Sequence, residues 1–381
     1  MIAASAAPNG VACSWDYPIW TIRSKSADPL YRFIRDGKAG YIDRDGKIMI
    51  EPKLDFFRNK DGEFHDGRLL MSIFGDYVDT SGKVAFNKRY LAFDFSEGLA
   101  VVRDEGSDEW GYINTAGDFG ITPRFDTASS FSEGLARISL DSRFGYIDRT
   151  GRIVIPAKFA FGDDFHDGLA RVVIEGPCTH IDEGPCALDR VVPNSDLDSD
   201  QVPRCKYDFI DRSGNLITSK SYDAAGDFSE GLAPVRVGTK WGYIDKSGQI
   251  VIEPKFDAAA QFAEGLAVVQ QGKWCGYVDR TGEFAIPPNF PYAEDFSEGL
   301  AVVGFSNIYW DDGKGHIDRA FWYINKQGKQ AIPERFDLAG SFFKGVAHVR
   351  LKPSKTDDNG ESNEQGPFAY INATGNKVFT Y

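Results

Sequence analysis

Five histidines and 56 acidic residues are the side chains with which this 381-residue chain could do acid-base or metal chemistry. The histidines, His65, His166, His180, His316 and His348, show no spacing at which two would hold one metal ion. His65 and His166 occupy a position filled by serine in otherwise similar stretches, which favours a turn role over a catalytic one. Asp66, Glu97, Glu133, Asp167, Glu230, Glu264 and Glu298 each precede a glycine and recur along the chain. A catalytic acid and base need one perturbed pair in one pocket, whereas a carboxylate in every copy reads as a turn residue. There is no Gly-x-Ser-x-Gly elbow, phosphate-binding glycine loop or Cys-x-x-Cys pair. The run Asp196-Leu197-Asp198-Ser199-Asp200 alternates oxygen ligands like half a calcium loop, but it lacks the central glycine and the distal glutamate. The expectation is therefore a protein that is not an enzyme, without cofactor or metal. Of the five cysteines, Cys178, Cys186 and Cys205 fall in one loop, where a disulfide or free thiols both fit, and Cys13 and Cys275 stand alone.

The elements that would carry these residues are short strands. The stretch from Phe228 to Phe256 alternates apolar and polar residues over Leu232–Val237 and Trp241–Asp245, then has an apolar run at Ile250–Ile252. Gly238-Thr239-Lys240 and Asp245-Lys246-Ser247-Gly248 supply the turns between them, so the unit is a three-stranded antiparallel meander. Tyrosine or phenylalanine anchors the middle strand at Tyr41, Tyr77, Tyr112, Tyr146, Phe209, Tyr243, Tyr277, Tyr323 and Tyr370, with spacings of 36, 35, 34, 63, 34, 34, 46 and 47 residues. A second marker, an aromatic three residues before glycine, recurs at Phe64, Phe95, Phe131, Phe165, Phe228, Phe262, Phe296 and Phe342. A proline ends the third strand at Pro52, Pro123, Pro156, Pro254, Pro287 and Pro333. Asp or Asn two residues after each anchor suits a turn, since both can accept a backbone N–H two residues on.

Phe-Ser-Glu-Gly-Leu-Ala, Trp-Gly-Tyr-Ile-Asp-x-x-Gly and Ile-x-Pro-x-Phe-Asp together resemble the WG-repeat family of bacterial proteins, over about Leu30 to Tyr381. The Trp-Gly pair is intact at Trp110-Gly111 and Trp241-Gly242 and altered elsewhere, as in Ala39-Gly40 and Phe144-Gly145. The resemblance implies a repeat scaffold that mediates interactions and brings no catalytic residues.

A meander this small cannot bury its own apolar face, so copies must stack. The reading is all-β: an N-terminal segment and cap over 1–29, then one array over 30–381 of eight full repeats plus a terminal hairpin. An open, solenoid-like array is expected, with Trp15 to Leu30 and Lys377-Val378-Phe379 covering its ends. A closed propeller-like ring is the alternative, disfavoured because propeller units hold four strands and run longer. In an open array, deleting Phe228 to Gln261 leaves a folded, shorter protein.

Three insertions, 175–206, 305–320 and 352–367, all fall between the first and second strands of their copies and so decorate one edge. The first is acidic and includes Asp196, Asp198 and Asp200; the second contains Tyr309-Trp310-Asp311-Asp312. These seven are the candidate binding residues. The expected function is protein–protein interaction on that edge, with a basic or stackable partner. Carbohydrate or cell-envelope binding through aromatics, and a hydrolase at the same edge, are the alternatives. A formal charge of −13 and no run of basic residues argue against nucleic acid, and no apolar stretch is long enough to span a bilayer. Met1 to Pro8 lacks a charged or apolar leader region, whereas Ala4-Ser5-Ala6 is like the end of an export signal, so cytoplasmic and exported locations both stay open.

Overall fold

The computed structural model describes residues 30–55, 62–72, 74–86, 90–104, 106, 108–174, 206–218, 220–311, 314–352 and 366–381. Among them lie nine antiparallel sheets, each built from consecutive chain. The sixth is typical: Ala224–Ala225, Leu232–Val237, Lys240–Asp245 and Ile250–Phe256, in that order across the sheet. The last three are the expected meander. The first is a two-residue strand pairing Ala224 with Arg236 and Ala225 with Val235, and its counterparts include Thr127–Ala128, Phe161–Gly162, Tyr292–Ala293 and Leu338–Ala339. Two residues are too few to show an alternating pattern, so this fourth strand leaves almost no trace in the sequence.

The glycine of the Trp-Gly pair answers to a close approach between strands. The outer strand bulges between its pairings to Trp241 and Tyr243, and a Cβ on Gly242 would lie 2.3 Å from the Ile252 carbonyl oxygen. Gly111, Gly145 and Gly276 meet the backbone of their own outer strands in the same way. The residue before this glycine varies more: Trp241 is buried, Trp110 and Phe144 are half-buried, and in the seventh sheet the position is taken by the buried Cys275.

Neighbouring sheets are joined face to face by three recurring devices. The anchor tyrosine donates its hydroxyl to a carbonyl of the next sheet's leading edge, as in Tyr112 to Ser129 (2.8 Å), Tyr243 to Ala260 (2.8 Å) and Tyr323 to Gly340 (2.8 Å). Its ring meets the next sheet's marker aromatic, Tyr243 against Phe262 at 4.9 Å and Tyr146 against Phe165 at 4.9 Å. The recurring carboxylate, read from the sequence as a turn residue, does sit in a turn with positive φ. It also reaches outward, to accept the glycine N–H of the following sheet's turn. Asp66 to Gly98 (2.7 Å), Glu97 to Gly134 (2.9 Å), Glu230 to Gly265 (2.9 Å), Glu264 to Gly299 (3.0 Å) and Glu298 to Gly345 (2.8 Å) are such links. An ionised acceptor makes each stronger than a neutral hydrogen bond.

These links return the chain to its beginning. Tyr370 of the ninth sheet donates to the Arg32 carbonyl of the first (2.6 Å), and Tyr31 donates back to the Lys344 carbonyl (3.1 Å). Phe33 packs on Phe379 at 4.9 Å, and Tyr31, Phe33 and Ile42 share one apolar cluster with Val346 and Tyr370. The expected open array is therefore corrected to a closed ring, a nine-bladed β-propeller. Lys377–Thr380 is the outer strand of the ninth sheet and packs on the first instead of capping a free end. Trp15 to Pro29, the other expected cap, lies outside the described residues. The argument against a ring failed because the added leading strand is short, two residues in five of the sheets and at most seven, which lets a blade fit in a 34-residue period.

Candidate interaction face

Strand direction alternates within each sheet, so the four kinds of connection divide between the two faces of the ring. The Ser-Glu-Gly turns and the Asp-x-x-Gly turns lie on one face. The second-to-third-strand hairpins lie on the other, with the connections from each outer strand to the next sheet. The Asp-x-x-Gly face is turn chemistry, as expected: the Asp245 carboxylate accepts the N–H groups of Ser247 (2.9 Å) and Gln249 (3.1 Å), and Asn325 does the same for Gln327 (3.1 Å) and Lys329 (3.1 Å). The Thr150 hydroxyl above all, with Arg152 and backbone donors, holds Asp148 down at about 2 against the opposing effect of desolvation.

All three insertions leave from the hairpin face. The first follows Leu169–Val173 and precedes Asp208–Asp211, and the third follows Val346–Arg350 and precedes Phe368–Asn372. The second continues as ladder: Leu300–Asp311 and Lys314–Asn325 pair without a break from Leu300↔Asn325 to Asp311↔Lys314. Tyr309, Trp310 and Asp311 thus occupy defined register positions, opposite His316, Gly315 and Lys314. Asp312, Asp196, Asp198 and Asp200 lie outside the described residues, as do Cys13, Cys178, Cys186, Cys205 and His180. Cys275 does not stand alone: it is disulfide-bonded, to a partner outside the described residues.

The leading two-residue strands face the middle of the ring. There Asp164 of the fifth sheet acts electrostatically on Tyr112 of the third, and Asp295 of the eighth on Tyr243 of the sixth, a reach across a whole intervening sheet. This inner wall carries a polar network that the sequence reading missed. Arg171, 6% exposed, donates through Nε and a terminal nitrogen to Asp163 and through its other terminal nitrogen to the Ala225 carbonyl of the next sheet. Burial opposes its charge, but Asp163 and Asp227 more than offset that and raise its affinity for the proton. Asp227 is raised by burial, against the pull of Arg171, and lies 3.8 Å from His166. Asp164 accepts from the Ser129 hydroxyl at 2.7 Å. Farther round, burial raises Glu294, which Tyr292 (2.6 Å) and Ser341 (2.8 Å) hydrogen-bond. The signal that could have found these residues was the pair just before each marker aromatic, Asp163-Asp164 and Glu294-Asp295, which varies while its neighbours repeat. Every group of the network has a protein partner, so it binds the blades to one another. Among the described residues no His, Cys, Asp and Glu cluster is arranged to hold a metal ion.

The fold is a ring of nine repeated blades of three or four strands, with insertions leaving from one face. Models of the WG containing repeat match residues 40–68, 77–106, 110–143, 144–176, 209–241, 241–273, 276–306 and 323–352. The chain belongs to this family. No curated protein matches it. Similar solved structures include apo AztD from Citrobacter koseri, at 12% identity and TM-score 0.41 over 93% of this chain and 94% of that one. The dihydro-heme d1 dehydrogenase NirN is at 11% and 0.40, over 83% and 71%. Hsv2 of Kluyveromyces lactis is at 8% and 0.31, over 89% and 99%.

Proposed function

We propose that this protein is a non-enzymatic scaffold that binds a protein partner through its hairpin face. One observation carries the reading: three long insertions interrupt three different copies at the same one of four connections, and so rise from a single face of the ring. Loops on a rigid scaffold are where recognition residues concentrate. The seven carboxylates between Glu175 and Lys206, against Arg190, Arg204 and Lys206, suit a basic partner surface. Replacing 175–206 and 305–320 with short glycine-containing turns should leave the unfolding temperature nearly unchanged and abolish capture of the partner. Equal capture by the trimmed protein would move the site to the Asp-x-x-Gly face. A second reading, carbohydrate binding through aromatics, is supported by Phe93 and Trp274, 51% and 38% exposed. Retention of the trimmed protein on a glycan array would favour it.

A further inference from the structure

The carbonyls that accept from the anchor tyrosines mark one repeated position on the inner wall, filled by Gly62, Ser129, Asp163, Ala260, Glu294 and Gly340. All of these are small or polar. In the third sheet the same position holds Phe93, whose carbonyl accepts from Tyr77 and which is 51% exposed. A half-exposed ring gains the fold little, because apolar stabilisation follows the area removed from water. The Phe93 ring meets Trp110 at 5.6 Å, and Arg103, the cross-strand partner of Trp110, lies over the indole at 5.3 Å. Trp110 is in turn bedded, with Ala128 and Leu140 of the fourth sheet, on the apolar cluster between the two sheets. The matching pair of the sixth sheet is closed: Trp241 is buried, and Arg236 above it donates to the Asp223 carbonyl at 3.3 Å. Arg137 and Arg171 likewise donate to Gly162 and Asp163. Arg103 makes no hydrogen bond or ion pair among the described residues, and its contact is the indole.

We infer that Phe93, Trp110 and Arg103 form a site for an acidic saccharide at the hairpin end of the inner wall, where one sugar ring stacks on Phe93 and its carboxylate takes the N–H donors of Arg103. Aromatic walls with a few placed polar groups are the usual make-up of a small-ligand site, and the guanidinium fork matches a carboxylate in two parallel hydrogen bonds. Size decides against a protein as the occupant. The exposed half of Phe93 offers on the order of 100 Å², far below the roughly 1,200 Å² at which stable protein interfaces begin. Charge decides against a cation, since Arg103 already occupies the face of the indole that would attract one. Asp126, exposed, follows Phe125, which pairs with Trp110. A ligand with hydroxyls finds an acceptor there, whereas an aromatic acid without them meets only repulsion. The inference narrows the carbohydrate reading to one site and one charge. It is separate from the protein-binding reading, because none of these residues lies in an insertion.

The test is calorimetric titration of the full chain with tetragalacturonate, neutral cellotetraose and phenylacetate. Tetragalacturonate should bind at least tenfold more tightly than either of the others. Phe93→Ser and Arg103→Gln take the residues that the fourth and seventh sheets carry at these positions, Ser129 and Gln270, so the blade keeps a side chain its own repeats accommodate. Each variant should weaken tetragalacturonate at least tenfold at an unchanged unfolding temperature, and the protein trimmed of 175–206 and 305–320 should bind it as the parent does. No binding of tetragalacturonate, undiminished binding by Arg103→Gln or Phe93→Ser, or tighter binding of phenylacetate would overturn the proposal. Equal affinity for cellotetraose would overturn it too, while leaving carbohydrate binding as such in place. Loss of binding on trimming would move the site to the insertions and likewise overturn it.

Discussion

Two glycines of the sixth sheet differ in what a methyl group would cost. Gly231 has φ +80° with only the tip of Arg280 near its Cβ position, so Gly231→Ala should cost about 1 kcal/mol, the price of a left-handed backbone. Gly242→Ala drives a Cβ against a main-chain oxygen that cannot move without breaking the bulge, so its cost should be about 3 kcal/mol or more. Denaturant midpoints of the two variants should fall in that order. Glu230→Ala removes the link to the Gly265 N–H and should cost on the order of 1–2 kcal/mol, although its own turn loses nothing. The turn assignment of these carboxylates was legible because they recur before glycine. Their outward reach was not, since a repeat shows that a position matters and leaves open which copy it touches. Arg171→Met should be costlier still, about 3–5 kcal/mol by thermal unfolding, because Asp163 and Asp227 stay buried beside a neutral side chain.

At the level of elements, the three long strands of each blade could be read from period and turn residues, and the insertions from broken spacing. The two-residue leading strands could not, because pairs such as Ala224–Ala225 carry no pattern. The ninth sheet contains a pH-sensitive joint. His348 stacks on Phe368 at 5.0 Å and meets the Tyr381 hydroxyl at 2.8 Å, and burial, with Arg32 and Arg350 nearby, pushes its pKa down to about 4. A histidine depressed from its ordinary 6.5 favours the folded state above pH 6.5, and that stabilisation drains away as pH falls through 4. The loss should approach on the order of 3 kcal/mol, concentrated where the ninth sheet meets Arg32 of the first. Unfolding midpoints measured between pH 7 and pH 4 should drop less steeply in His348→Phe than in the parent, and parallel curves would refute the assignment.

The whole molecule closes on itself, which the sequence could not reveal: closure is a relation between residues such as Tyr370 and Arg32, 338 positions apart. It reverses one expectation. Removing Phe228 to Gln261 forces eight blades to complete a circle set for nine, so the deletion should lower the calorimetric unfolding temperature well beyond any single substitution above; an unchanged value would mean that the seam is dispensable. If the proposed hairpin face binds a basic partner, the acidic first insertion predicts that affinity falls as salt rises from about 50 to about 500 mM, because exposed charges are screened within about 10 Å at 0.1 M.

The seam also differs from the joints elsewhere in one respect. Lys344 stands where other sheets carry the linking carboxylate, yet among the described residues no sheet mixes strands from the two ends of the chain, and the first and ninth sheets meet face to face through Tyr31, Phe33, Tyr370 and Phe379. Where the polypeptide starts is then an accident of covalent order. A circularly permuted gene, with its old ends bridged by a flexible linker and new ones opened at the Gly272-Lys273 hairpin tip, should yield the same ring. Its near-ultraviolet circular dichroism should overlay that of the parent.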